Sequence, residues 1–321
     1  MFGRRLRDRE GRTLDRAFLF FWRGRITVVG ISPYSCLKLT GIPQERLSYW
    51  KQEICWEQAS VPDFQRIGKP PISSRTGVVC HALISHLQPD INCKMLDEWQ
   101  KLDPASNILL LHGGSREDFD ALPDGINAIY IPDKSLRTKD HAREKQQYTG
   151  VLRAIAEWLK HHPEVSHVHL AEYDLVPLTA NLGLRLIGWM EEQNADLIGS
   201  GLSDLTETIH PHYLNFQKDE GVRSFIRGIS CREEKQRVLT MLGCTSFWSS
   251  DCLKAVAAQA LPGSIYLELA LPTIAHHLGY RVRPLPEAQQ NSITFEGDLL
   301  PCLEHYRDTG AWMLHPCKNR W

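Results

Sequence analysis

The chain has 321 residues, 42% hydrophobic and 23% charged, with 37 basic against 38 acidic side chains. This is globular composition, and it excludes a collagenous, coiled-coil or low-complexity chain. A formal net charge of −1 gives no global attraction to nucleic acid or an anionic membrane. The charge is uneven, however: residues 1–75 carry 14 Lys and Arg against 7 Asp and Glu, and the remainder 23 against 31. Residues 1–75 therefore read as a basic N-terminal extension and linker, with one hairpin around Arg25–Ile31. Residues 76–321 read as the main folded domain.

The nine cysteines are odd in number and form no C-x-x-C pair, which argues against a zinc ribbon or a thioredoxin-type site. Several lie in apolar runs such as Val78-Val79-Cys80, where a reduced thiol acts as a small hydrophobe. A reducing, cytoplasmic compartment is expected. The apolar run Ala17–Trp22 is too short to span a bilayer, so no transmembrane segment is expected. Asp8, Glu10 and Asp15 interrupt the Arg-rich start and argue against a transit peptide.

From Gly77 onward, short β-branched runs alternate with segments of helical period. Gly77–Ile84 is a strand, followed by a helix-like piece to Leu102. Asn107–Leu111 is a second strand, ended by His112-Gly113-Gly114, and Ala128–Ile131 a third, closed by Pro132. A long helix covers Lys139–His161, where Val151, Leu152, Ile155, Ala156 and Leu159 form one apolar face. Val168–Leu170 is a strand, Leu182–Glu191 a helix and Asp196–Ile198 a strand. The polar, aromatic stretch Asp204–Glu234 reads as a variable loop region. Ser250 caps a helix stopped by Pro262-Gly263. Pro272–Leu278 is a short helix with Pro in its first turn and Gly279 past its end. Tyr280–Val282 closes the series. Such alternation predicts an α/β fold, a mostly parallel sheet flanked by helices. Ligands of such sheets bind at the carboxyl ends of the strands.

The chemically sharpest stretch is His167-Val168-His169-Leu170-Ala171-Glu172-Tyr173-Asp174-Leu175-Val176-Pro177. In extended backbone alternate side chains share a face, so Glu172 and Asp174 point the same way. Two carboxylates projecting together beyond a buried strand need a cation or hydrogen-bond donors. A hard divalent ion shared with a substrate phosphate meets that need, although a solvated acidic loop has the same composition.

Strand–Glu-Tyr-Asp–Leu-Val-Pro resembles the Asp-x-Asp metal-binding signature of nucleotide-sugar glycosyltransferases of the GT-A fold, in its Glu-x-Asp variant. Three other segments fit in order. Gly77–Ile84 matches the first nucleotide-binding strand. Leu242-Gly243-Cys244-Thr245-Ser246-Phe247-Trp248 is similar to the later strand whose Gly lies near the acceptor. Met313-Leu314-His315-Pro316-Cys317-Lys318 is similar to the segment whose His completes metal coordination. The resemblance implies a GT-A catalytic domain over residues 76–321 and Mn²⁺ or Mg²⁺ bridging the phosphates of a nucleotide-sugar donor. It implies Asp174 as main ligand, Glu172 as support and His315 as third, with Lys318 meeting diphosphate charge. The acceptor, whether glycan, small molecule or protein, is left open.

Inverting transfer needs a carboxylate to take the acceptor proton. Glu268, isolated among apolar neighbours just before Pro272, is the candidate base. The family's inverting members often show adjacent acidic residues here and this chain shows one, so inversion and retention both stay open. Lys134, Lys139, Arg143 and Lys145 could meet a diphosphate, and Ser115-Arg116-Glu117 after Gly113-Gly114 invites comparison with a phosphate loop, though the Walker pattern is absent. Two rival readings stand beside the transferase. One is a metal-dependent hydrolase using His167, His169, Glu172 and Asp174, which would require a bulge to bring the histidines to the carboxylate face. The other is a non-catalytic nucleotide- or glycan-binding protein of the same fold.

Overall fold

The computed structural model describes residues 77–132, 150–259, 266–295 and 297–321 in full. It also gives the backbone course of three N-terminal strands and of residues 141–149. The chain forms two compact units, residues 1–60 with 207–210 and residues 61–206 with 211–321.

In the first unit β1 (Arg16–Trp22), β2 (Arg25–Ile31) and β3 (Cys36–Pro43) form an antiparallel sheet in the order β1-β2-β3. The single hairpin expected around Arg25–Ile31 is thus a three-strand meander with that segment in its centre. Its strands are rich in Phe, Val, Ile and Thr, residues that favour a pleated surface.

The second unit begins with β4 (Val78–Ser85), α1 (Pro89–Leu102), β5 (Asn107–His112), α2 (Arg116–Asp120) and β6 (Ala128–Tyr130). Next come α3 (His141–His161), β7 (Val165–Glu172), β8 (Val176–Pro177), α4 (Leu182–Glu192), β9 (Leu197–Gly199) and β10 (Ser203–Asp204). α5 (Pro211–Lys218), α6 (Glu220–Ile229), β11 (Leu239–Thr240), β12 (Thr245–Ser249), α7 (Ser250–Ala257) and α8 (Leu267–His277) follow. The chain then forms β13 (Val282–Pro284), α9 (Glu287–Gln290), α10 (Leu303–Asp308) and β14 (Met313–Leu314).

Seven strands make one sheet in the order β13-β9-β12-β7-β4-β5-β6. Neighbours run parallel except β12, which lies antiparallel to both β7 and β9. This is the mostly parallel, helix-flanked α/β fold expected. Alternate residues of β4 feed two separate cores: Cys80, Ala82 and Ile84 pack with α3, α7 and α8, whereas Val79 and Leu83 pack with α1 and α4. A strand covered on both faces reads as the continuous apolar run seen in the sequence. On α3 the predicted face is the buried one, with Val151, Leu152, Ile155 and Leu159 each 1% exposed or less.

Three local expectations are corrected. The presumed loop Asp204–Glu234 holds α5 and α6. Asp219 caps α6 by accepting the Val222 amide, and Val222 and Ile226 are buried. The stripe Val222, Phe225, Ile226, Ile229 has helical spacing that overall polarity obscured. The cap of α7 is Ser249, not Ser250, whose hydroxyl instead donates to the Val165 carbonyl. Finally α8 begins at Leu267, five residues before Pro272, which therefore lies inside it. Proline cannot donate to the carbonyl four residues back. That carbonyl, on Glu268, accepts the Met241 amide at 3.0 Å instead, and Thr273 Oγ1 binds both backbone groups of Leu239. Tertiary hydrogen bonds thus replace the one that proline removes.

Candidate functional site

Glu172 is the last residue of β7, at the carboxyl end of a strand parallel to β4. Its amide donates to the Cys244 carbonyl (3.0 Å), and its own carbonyl accepts the Leu175 amide (3.0 Å), which turns the chain through Tyr173 and Asp174. β8 then pairs antiparallel with β14, bringing the His315 segment back beside the carboxylates. The Cys317 amide donates to the Asp174 carbonyl, and the His315 amide to Ser292.

The result is a converging set. His315 Nε2 lies 3.2 Å from Asp174 Oδ1 and 3.9 Å from Glu172 Oε2. One ligand atom from each of Glu172, Asp174 and His315 falls within 4.8 Å of the others. Asp174 and His315 are each 6% exposed, and Glu172 is half-buried. The His315 Nδ1–H is donated to the Thr294 carbonyl at 2.6 Å. In the neutral ring, Nε2 is then an acceptor facing carboxylate oxygens, the arrangement by which a second contact fixes the tautomer of a metal-ligating histidine. Asp174 Oδ1 is buried and meets a hydrogen donor only when His315 is doubly protonated. Burial works against charging His315. Its hydrogen bond to Asp174, the charges of Asp174 and Glu172 and the Thr294 carbonyl outweigh that, holding the imidazole above the ordinary histidine range. The donor set of two carboxylates and one imidazole, with a buried Asp174 oxygen that only a doubly protonated His315 can satisfy, fits a divalent cation.

Between the two carboxylates Tyr173 turns its ring edge-on to His86 (centroids 4.7 Å). Burial and then the charges of Asp174 and Glu172 raise its phenol above the ordinary value. Its carbonyl accepts the Trp321 indole N–H.

Glu268 lies in the first turn of α8, where its Oε1 accepts the Gly243 amide at 3.0 Å. Together with Glu172, Asp174, His315 and Lys318 it lines one pocket of ≈ 250 Å³. All five sequence-derived site residues therefore meet in one place. Lys318 is exposed, and its backbone amide donates to Asp298.

His167 and His169 do not join this group. His167 accepts or donates at Ser166 Oγ (2.8 Å) and stacks on Phe247, with ring planes 3° apart. His169 Nε2 lies 2.8 Å from Thr245 Oγ1, and its Nδ1 lies 3.0 Å from His81 Nδ1. His81 Nε2 in turn contacts Asp103 Oδ2 at 2.9 Å, which also accepts the Gly183 amide. Strand alternation sends both histidines to the face away from Glu172. The four-residue constellation of the hydrolase reading is not formed: among the described residues the converging ligand set is Glu172, Asp174 and His315. Ser115 serves as the cap of α2, accepting the Asp118 amide, rather than opening a phosphate loop. Lys134, Lys139 and the side chains of Arg143 and Lys145 lie outside the described residues.

Sequence reasoning missed Thr294, His81, Asp103 and Phe295. Thr294 acts through its carbonyl, for which no side-chain signal exists. Phe295 is 44% exposed at the pocket, an exposure that residue type alone does not reveal.

No protein-family model and no curated protein sequence matches the chain. Among solved structures it is similar to a mannosyltransferase from Pyrobaculum calidifontis in complex with GDP-Man and Mn²⁺, at 12% identity and TM-score 0.38 over 75% of this chain and 62% of that one. It is similar to the bifunctional glycosyltransferase WbbM at 10% identity and TM-score 0.36, over 76% of this chain and 46% of that one. It is also similar to the galactosyltransferase LgtC, in complex with donor and acceptor sugar analogues, at 13% identity and TM-score 0.38, over 75% and 87%. The chain thus spans less than two thirds of the first two. All three neighbours are glycosyltransferases. Among the described residues no helix is long and apolar enough to cross a membrane.

Proposed function

We propose that the chain is a divalent-metal-dependent glycosyltransferase that moves a sugar from a nucleotide-diphosphate sugar to an acceptor hydroxyl. The observation that carries this reading is the convergence of Glu172, Asp174 and His315 at the carboxyl end of β7, with a buried Asp174 oxygen lacking a neutral donor.

Asp174, Glu172 and His315 would hold Mn²⁺ or Mg²⁺, and an imidazole beside carboxylates suits Mn²⁺ better than Ca²⁺. When bound, such an ion acts as a Lewis acid on a departing diphosphate. Lys318, on the rim of the same pocket, offers its ammonium to phosphate oxygens. Glu268 is the general base that takes the proton of the acceptor hydroxyl. The Gly243 amide on Oε1 fixes the rotation of that carboxylate, so it need not be oriented anew in each turnover. The Pro272-freed carbonyl of Glu268 is tied to Met241, which immobilises the backbone that bears it.

The test is a thermal-shift panel of UDP, GDP, ADP and CMP with and without Mn²⁺, on the wild type and Asp174→Ala. A ligand that binds only the folded state at 100 times its Kd stabilises by about 2.7 kcal/mol. A Mn²⁺-dependent rise with one nucleoside diphosphate, absent in Asp174→Ala, is expected. A midpoint unmoved by every nucleotide overturns the reading. A shift with no turnover of any nucleotide sugar reduces it to a binding protein.

A further inference from the structure

The sequence singles out His167-Val168-His169, and the transfer mechanism uses neither ring. His169 Nε2 lies 2.8 Å from Thr245 Oγ1, its Nδ1 lies 3.0 Å from His81 Nδ1, and His81 Nε2 lies 2.9 Å from Asp103 Oδ2. Thr245 belongs to β12, His169 to β7 and His81 to β4, and Asp103 is the C-cap of α1. None of the four is more than 1% exposed. A row of polar groups this deep in the core is costly unless every donor meets an acceptor.

The proton count decides how they meet. Asp103 Oδ2 also accepts the Gly183 amide, in the first turn of α4, at 2.6 Å. Burial works against charge on Asp103, but its hydrogen bonds with His81 and Gly183 outweigh it and hold the carboxyl below its ordinary value. An ionised carboxylate only accepts, so His81 Nε2 carries a hydrogen. A neutral imidazole has one N–H, which leaves His81 Nδ1 an acceptor and puts the next hydrogen on His169 Nδ1. His169 Nε2 is then an acceptor as well, and Thr245 must donate to it. With both rings neutral the chain closes in this one direction. The Thr245 hydroxyl proton is therefore committed to His169, although Met313 Sδ lies 3.8 Å from the same oxygen.

Thr245 also stands between the two segments that bring the candidate ligands together. Cys244, the residue before it, accepts the Glu172 amide, and Thr245 itself pairs with Ala171, the residue before Glu172. Met313 of β14, in contact with its hydroxyl, precedes His315 by two residues.

We propose that Thr245 is a positioning residue for the candidate metal site. A one-way chain of donors from Thr245 through His169 and His81 to Asp103 locks its hydroxyl, so that the Glu172 and His315 segments keep a fixed spacing. The metal in this statement rests on the transferase reading, whereas the direction of the chain does not.

Two measurements test it. The first is a long-range ¹H–¹⁵N correlation of the histidine rings in the metal-free full chain at pH 8, with His169 assigned by the signal missing in His169→Gln. His169 is expected as the Nδ1–H tautomer, the less common one in free histidine. Finding it as the Nε2–H tautomer, or as imidazolium, overturns the proposal. The second is Mn²⁺ affinity, followed by electron paramagnetic resonance of the free ion, in Thr245→Val and Thr245→Ser. Valine keeps the shape and loses the hydroxyl, whereas serine keeps the hydroxyl. The Kd should weaken about tenfold in Thr245→Val, the low end of what outer partners of metal ligands cost, and recover in Thr245→Ser. Urea unfolding of both variants confirms that binding is compared on folded protein. A Thr245→Val protein that is less stable yet binds Mn²⁺ like the wild type makes Thr245 a core residue only and overturns the proposal. Failure of serine to restore affinity does the same, because lost packing then explains the effect. Should Thr245→Val not fold, the wild-type tautomer and the serine variant still decide. If the wild type binds no Mn²⁺ while His169 is the Nδ1–H tautomer, the metal reading fails, Thr245 has no ligands to position, and the chain alone survives.

Discussion

The Nδ1–H of His315 is donated to the carbonyl of Thr294 at 2.6 Å, which aims the opposite ring nitrogen at the carboxylates. The same ring nitrogen that would meet a cation is the one that a proton occupies at low pH. Because Asp174 and Glu172 hold the imidazole above the usual histidine range, protons compete with the ion at a higher pH than they would on a free imidazole. Mn²⁺ affinity, followed by electron paramagnetic resonance of the free ion, should therefore be tighter at pH 8 than at pH 6. His315→Gln should weaken it at least 10-fold, since even outer partners of metal ligands cost 10–100-fold. An affinity independent of pH would separate His315 from the ion.

Glu268→Gln keeps an oxygen for the Gly243 amide and removes the basic carboxylate. Transfer should fall by roughly 10²–10⁴ in kcat, the usual worth of a general base. The nucleotide-induced thermal shift should persist. If kcat survives, Glu268 is a structural partner of Gly243 and no more.

The buried chain Asp103–His81–His169–Thr245 predicts a particular response to acid. Burial first, then the neighbouring His81, depresses His169 well below the ordinary value. Burial depresses His277 as well, and burial with the charges of His277, Arg232 and Arg237 pulls His276 down to about 2. Below about pH 6.5 the unfolded chain binds protons on these groups that the folded chain refuses, so stability rises with pH there. The contribution is fully present above pH 6.5 and is lost progressively as the pH falls toward the folded values. His315 has the opposite sign: its raised value stabilises the metal-free fold below pH 6.5, and that stabilisation is lost as pH rises through the folded value. Burial lowers His210 too, so with four groups against one the unfolding free energy from urea titrations should drop between pH 7 and pH 5, by up to about 1.4 kcal/mol per group per pH unit. A flat profile would contradict the burial of these rings as neutral species.

Gly183 lies where a side chain has no room. A Cβ there would meet Ser106 Oγ at 2.8 Å, Asp103 Oδ2 at 2.9 Å and Val79 Cγ2 at 3.0 Å. Gly183→Ala should cost about 1–3 kcal/mol as an overpacked core site, although alanine favours helices by propensity. The check is a lower urea midpoint at an unchanged slope. A neutral or stabilising outcome would mean that the Asp103 carboxylate can turn away without loss.

Removing Asp103 strands two donors at once, the Gly183 amide and His81 Nε2–H. Each buried orphan costs about 1–3 kcal/mol, so Asp103→Ala should be among the most destabilising single changes away from the pocket. Denaturant unfolding of this variant beside Asp120→Ala, whose Arg116 pair is exposed, gives the contrast.

How far the chain could be read in advance follows from where the information lies. The strands and the face of α3 announced themselves because burial on both sides of the sheet forces long apolar runs. Glu172 and Asp174 were legible because a charge pair at the end of such a run has few structural excuses. His315 and Lys318 were found through segment order, since nothing local distinguishes them, whereas Glu268 stood out as an isolated charge among apolar neighbours. The orienting carbonyl of Thr294 and the His81–His169 contact depend on backbone course and on strand register, and neither leaves a residue-type signature. Pro272 misled for a physical reason: proline normally opens a helix, but here the Met241 amide takes the carbonyl that Pro272 leaves free, and the helix continues through it.

The pairing of β8 with β14 covers only two residues on each strand, yet it is what seats His315 beside carboxylates far away in the chain. The strip is anchored besides by the Cys317 amide on Asp174 and the His315 amide on Ser292, and Met313, Leu314 and Cys317 are buried. An ion bound by all three ligands would therefore act as a clasp. Metal binding and the seating of this buried strip would then reinforce one another, so that chelation lowers the melting midpoint of the fold rather than freeing one end of it.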